Sequence, residues 1–154
     1  MALILHAESE GYIHDYLRIV FDRLGHQVVS VSNLNDARDE LKSRCFQLIV
    51  LDGDLLICLS DNELRFAQEF SAGIPMILTA QPEMAKKWLG KNEIAESNIV
   101  AIIQKPFYQQ DFVSAVKHCL ENPYFENHYT VVERSRDWTK SEIGRLCQIL
   151  DKAT

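Results

Sequence analysis

Residues 48–54 read LIVLDGD. Four apolar residues run without interruption into an aspartate, a glycine and a second aspartate. The longer run FQLIVL, 46–51, is short and rich in Ile, Val and Leu, which suits a strand buried on both faces of a parallel sheet. Four runs of the same kind flank it: ALILHA (2–7), VVSV (28–31), IPMIL (74–78) and IVAII (99–103).

Segments with helical periodicity alternate with these runs. In the first, Ile13, Leu17, Val20, Phe21 and Leu24 recur at three- and four-residue spacing and stop at Gly25, a suitable residue just past a helix end. The second opens at Asn33 and runs through Ala37 and Leu41. The third is expected to begin at SDNE, 60–63, a capping box with Ser60 as N-cap and Glu63 three residues on. The fourth spans Met84 to Ala95, interrupted by Gly90. The fifth carries Phe112, Ala115, Val116, Cys119 and Leu120, and Pro123 ends it. Five such units predict an α/β, doubly wound parallel sheet with helices on both faces.

The chain has 154 residues, 47% of them hydrophobic and 25% charged, which suits one globular domain with an appendage. No apolar run approaches the ~20 residues of a membrane span, and MALILHAESE lacks the basic and cleavage regions of a secretory signal. Cys45, Cys58, Cys119 and Cys147 show no metal-ligand spacing and read as reduced, buried thiols of a cytoplasmic protein. Residues 124–154 hold five basic and five acidic residues, so the net charge of −6 belongs to residues 1–123. An acidic body argues against gripping a phosphate backbone, and its partners are expected to be proteins.

In doubly wound sheets the working site lies outside the carboxyl ends of the strands. The first strand ends at Glu8-Ser9-Glu10, the third at Asp52-Gly53-Asp54, the fourth at Thr79-Ala80 and the fifth at Lys105-Pro106-Phe107. Carboxylates, a hydroxyl and an ammonium on one edge suit a hard cation and a phosphoryl group. A triad of Ser9, His6 and Asp52 can be drawn on paper, but no nucleophile elbow surrounds Ser9, and a hydrolase is rejected. His6 reads as a hydrogen-bonded core histidine. His14, His26, His118 and His128 read as surface or helix-flank residues.

LIVLD at 48–52, PMILTA at 75–80 and KPF at 105–107 together resemble the receiver domain of two-component response regulators over roughly residues 2–122. The resemblance implies a flavodoxin-like, five-stranded sheet of order 2-1-3-4-5, and a switch rather than an enzyme. It implies Asp52 as the carboxylate that accepts phosphoryl from a histidine kinase or phosphotransfer protein. Thr79 matches the hydroxyl that bonds the phosphoryl oxygen, and Lys105 the lysine that pairs with the acceptor through a cis Lys105–Pro106 turn. Mg²⁺ is the implied cation, with Glu8, Ser9, Asp52 and the Asp54 carbonyl as its site.

This chain departs from the family pattern in several places. An ungapped count from Gly25 places Glu8 and Ser9 on the family's acidic pair, so its second acid becomes serine. A rival register on His6 and Ala7 needs a two-residue insertion. Losing a charge ~4 Å from a divalent ion forfeits several kcal/mol at an effective dielectric of ~20, so Mg²⁺ binding is expected to be weakened. Leu56 replaces a family proline, Ile102 an aromatic switch residue, and ESN (96–98) a small turn. Two readings follow: a phosphorylatable receiver that switches contacts with a downstream protein, or a pseudo-receiver that binds partners without phosphate.

Residues 123–137 are expected to be a linker, with TVVE as a short extended piece, and 138–154 an amphipathic helix. There Thr139 and Glu142 form a capping box, and Ile143, Leu146, Cys147 and Leu150 an apolar stripe. That helix would dock, pair with a second copy in a homodimer, or open an output module; WTKSE resembles the start of Myb/SANT-type modules. Nucleic acid binding and transcriptional control would need that output region.

Overall fold

The structure is a computed structural model that describes residues 1–71, 73–89, 98–121 and 130–132. Its strands are β1 (Leu3–Ala7), β2 (Gln27–Val31), β3 (Leu48–Asp52), β4 (Met76–Ala80), β5 (Ile99–Gln104) and β6 (Thr130–Val132). All pair in parallel, in the order β2-β1-β3-β4-β5-β6. The first five follow the expected 2-1-3-4-5 order. β6 adds a sixth, with Ala101, Ile102 and Ile103 opposite Thr130, Val131 and Val132. It falls at the extended piece expected within TVVE.

Every residue of β3, β4 and β5 is buried, which explains why these runs are apolar throughout rather than alternating. Alternate residues of β3 serve opposite faces. Leu48 and Val50 join Ile4, Leu17, Phe21, Phe112 and Val116 in one cluster. Ile49 and Leu51 join Leu5, Leu78, Ala37, Ala67 and Trp88 in the other. Thus α1 (Gly11–Arg23) and α5 (Gln109–Glu121) cover one face, and α2 (Leu34–Ser43), α3 (Glu63–Ser71) and α4 (Pro82–Leu89) the other.

The first helix ends as its sequence predicts. Gly25 has φ +79°, its N–H bonds the Asp22 carbonyl, and the His26 N–H bonds the Phe21 carbonyl, each at 3.0 Å. This is the paired closure of a Schellman end. A Cβ on Gly25 would meet nothing within 4 Å, so substitution there is felt through backbone conformation alone. Gly25→Ala is expected to cost about 1 kcal/mol in urea unfolding; an unchanged midpoint would contradict this. At α2, the Asn33 side chain accepts the Asp36 N–H at 2.8 Å as a true N-cap.

Three expectations are corrected. The capping box at Ser60 does not open the third helix, because Gly53–Asn62 already forms a 3-10 helix and α3 starts at Glu63. An N-cap residue needs non-helical backbone, and Ser60 lies inside a helical run. Leu56, within that run, is buried in the core. The fourth helix starts at Pro82 rather than Met84, with Pro at its first position, and is described as far as Leu89; residues 90–97, with the expected end at Ala95, lie outside those described. Cys45 is a free, exposed cysteine, while Cys119 is free and buried as expected. The expected helix over 138–154, with Cys147 and His128, also lies outside the described residues. Among the described residues, no helix is long and apolar enough to cross a membrane.

Candidate functional site: a carboxylate and lysine cluster at the strand ends

Parallel strands deliver their last residues to one edge. β1 leads into Glu8 and Ser9, β3 ends on Asp52, β4 carries Thr79 directly opposite Asp52, and Lys105 follows β5. The Lys105 N–H bonds the Ala80 carbonyl at 2.7 Å, and the Lys105–Pro106 peptide is cis. That bond fastens the end of β5 to the end of β4, so the Lys105 side chain is aimed across the strand ends.

Asp52 is the centre of the cluster and is wholly buried. Its Oδ1 accepts from Lys105 Nζ at 2.7 Å and from the Asp54 N–H at 3.0 Å. Its Oδ2 accepts from Ser9 Oγ at 2.8 Å and from the Ser9 N–H at 3.2 Å. Lys105 Nζ also lies 3.2 Å from Glu8 Oε1 and 3.7 Å from Asp54 Oδ2. Thr79 Oγ1 is buried on the strand beside Asp52, with no hydrogen-bond partner among the described residues. The structure therefore brings Glu8, Ser9, Asp52, Asp54, Thr79 and Lys105 to one place. His6 and Ala7 stay buried inside β1.

The charges follow from this packing. Burial alone would raise the Asp52 pKa, but its contacts with Glu8 and Lys105 outweigh burial and hold the carboxyl below the usual range. Burial would lower Lys105, but the surrounding Asp52, Glu8 and Asp54 carboxyls raise it instead. Glu8 goes the other way: burial first, then the neighbouring Asp52, push it up to about 8. This favours the protonated form of Glu8 at neutral pH; among the described residues its buried Oε2 has no hydrogen-bond partner. Asp52 and Lys105 form the ionised pair.

These residues fit a divalent cation poorly. Ser9 offers only a neutral hydroxyl, which is bonded to Asp52, and both Asp52 oxygens are engaged. Among the described residues, no group of three or more His, Cys, Asp or Glu is placed to hold a metal.

Sequence reasoning missed two neighbours of the site. His14 was expected on a helix flank, yet its Nε2 contacts the Glu8 carbonyl oxygen and its ring lies 5.3 Å from that of His6. His6 is buried as expected, but among the described residues neither ring nitrogen has a hydrogen-bond partner, and burial followed by the nearby His14 lowers its pKa to about 3. No spacing signal links positions 6, 8 and 14. Trp88 on α4 is wholly buried against the main chain of Gly53; helical periodicity marks it as apolar but not where its ring goes.

No family model matches the chain, and no curated protein matches it in sequence. Its fold does match solved structures. A response regulator receiver domain protein from Methanospirillum hungatei superposes with a TM-score of 0.64 at 17% identity, covering 79% of this chain and 95% of that one. The signal receiver domain of an HD domain-containing protein from Pseudomonas fluorescens gives 0.60 at 22% identity, covering 79% and 88%. A chemotaxis response regulator of Vibrio cholerae gives 0.63 at 16% identity, covering 78% and 99%. With its first five strands in the order 2-1-3-4-5 and helices on both faces, the chain has the fold of response regulator receiver domains.

Proposed function

We propose that the chain is a signalling receiver whose Asp52 accepts a phosphoryl group from a phosphohistidine on a histidine kinase or phosphotransfer protein. The observation that carries this reading is the Lys105–Asp52 contact of 2.7 Å beside the unpartnered, buried Thr79 hydroxyl. In the step, an Asp52 carboxylate oxygen attacks phosphorus. The P–N bond breaks, its electron pair stays on the donor imidazole, and an acyl phosphate forms. Lys105 neutralises phosphoryl oxygens and Thr79 supplies a hydrogen bond. Asp52 has no exposed surface, whereas Ser9 is exposed, so uptake begins with the Ser9 hydroxyl turning off Oδ2. The phosphoryl group adds about −1.5 to −2 charges, and the altered cluster changes the protein-binding surface of α4, β5 and α5. The protein acts as a stoichiometric acceptor in this reading.

One observation favours a second reading. Four donors already satisfy Asp52, and the Ser9 hydroxyl sits against Oδ2. A site closed in this way suits a pseudo-receiver that docks partners without phosphate.

Beryllofluoride separates the two. With excess Mg²⁺, the first reading expects amide signals of residues 52–54, 79 and 105 to shift in the natural sequence and not in Asp52→Asn. No shift with the fold intact leaves only the second. Ser9→Asp restores a carboxylate beside Asp52 and is expected to tighten Mg²⁺ about tenfold or more. Unchanged affinity by titration would mean that position 9 does not face the cation.

A further inference from the structure

Gly53 is where the end of β3 meets α4. A Cβ placed on it would lie 2.7 Å from Trp88 Cη2, 3.2 Å from Trp88 Cζ3 and 2.8 Å from the Thr79 carbonyl oxygen. The Trp88 ring therefore rests on bare main chain between Asp52 and Asp54, and beside the backbone of Thr79. Trp88 lies on α4 and is wholly buried, yet among the described residues its Nε1–H has no hydrogen-bond partner. A buried donor without an acceptor is costly, and an apolar side chain would fill this space without that cost. Ile102, which stands where the resemblance expects an aromatic, belongs to the same core cluster.

We infer that Trp88 is a positioning residue that couples the Asp52–Asp54 segment to α4, doing from the helix what no aromatic on β5 can do here. This coupling rests on the reading of Asp52 as phosphoryl acceptor. The Asp54 N–H is bonded to Asp52 Oδ1 at 3.0 Å, so carboxylate and segment move as one unit. A phosphoryl group on Asp52 displaces donors now held there, and the Gly53 main chain shifts with them. No side chain stands between that main chain and the indole, so the ring must follow. The ring is fixed to α4, and a displacement that brings Nε1–H an acceptor is favoured.

The protein has two tryptophans, Trp88 and Trp138, so Trp138→Phe leaves one indole. Its N–H signal and the α4 amide signals are recorded by NMR before and after treatment with a small acyl phosphate. Intact mass is measured on the same samples, and Asp52→Asn is made in the same background. The coupling predicts that phosphoryl gain displaces both the indole and the α4 signals. In Trp88→Leu the gain persists while the α4 signals stay in place; Trp88→Phe, which keeps a ring, restores the α4 response. Mass gain with an unmoved indole overturns the coupling. Absence of mass gain refutes the acceptor reading instead, and Asp52→Asn then decides. That variant removes the charge facing Lys105, and an indole signal that moves with it supports the coupling, while one that ignores it overturns it.

Discussion

Lys105→Met is expected to lower folding stability by about 3 to 5 kcal/mol at neutral pH. The Lys105 ammonium is buried and is in ion-pair range of Asp52, Glu8 and Asp54. Methionine keeps the stem but leaves the Asp52 carboxylate buried with no cation beside it, and removing one partner of a buried pair is far costlier than removing both. Lys105→Met combined with Asp52→Asn should therefore recover most of the loss. Urea unfolding of the single and double variants measures this. A single-variant loss below about 1 kcal/mol, typical of an exposed pair, would contradict the buried geometry.

The second large effect is on pH dependence, through Glu8→Gln. The folded pKa of Glu8, about 8, lies above its ordinary 4.5, so the folded chain holds this proton more tightly than the unfolded chain. The stability from that proton is fully present below about pH 4.5 and is lost as pH rises through about 8. Linkage makes the loss about 2 kcal/mol between pH 5 and 7. Asp52 has the opposite sign: its lowered pKa gives stability above its ordinary 3.8 that is lost as acid protonates the folded carboxyl. Together these place maximum stability on the mildly acidic side of neutrality. Glu8→Gln should flatten the fall between pH 5 and 8, matching the natural sequence at pH 5 and exceeding it at pH 8. A variant with the same slope as the natural sequence would show that Glu8 is ionised in the fold.

Much of this architecture was legible because its signals are local. LIVLD, PMIL and IVAII are apolar on both faces, as central strands of a covered parallel sheet are. Gly25 and Asn33 mark helix ends through backbone chemistry that depends on a few neighbours. The members of the strand-end cluster were legible from three fragments at the ends of alternate units. Features decided by tertiary contact were not. SDNE reads as a helix start, but Ser60, Asp61 and Asn62 are the end of a 3-10 helix that already runs from Gly53, and local reading cannot see that. Trp88 and Gly53 are 35 positions apart, and only the fold shows that the bulk of one fits the bareness of the other. The elevated Glu8 pKa likewise arises from burial and from Asp52 on another strand.

The central claim is that Asp52 accepts phosphoryl. Incubation with a small acyl phosphate, followed by intact-mass measurement and peptide mapping, tests it directly. A gain of one phosphoryl group is expected, mapped to the peptide containing Asp52, with no gain in Asp52→Asn. An unmodified, folded protein after prolonged incubation, or equal gain in Asp52→Asn, would contradict it.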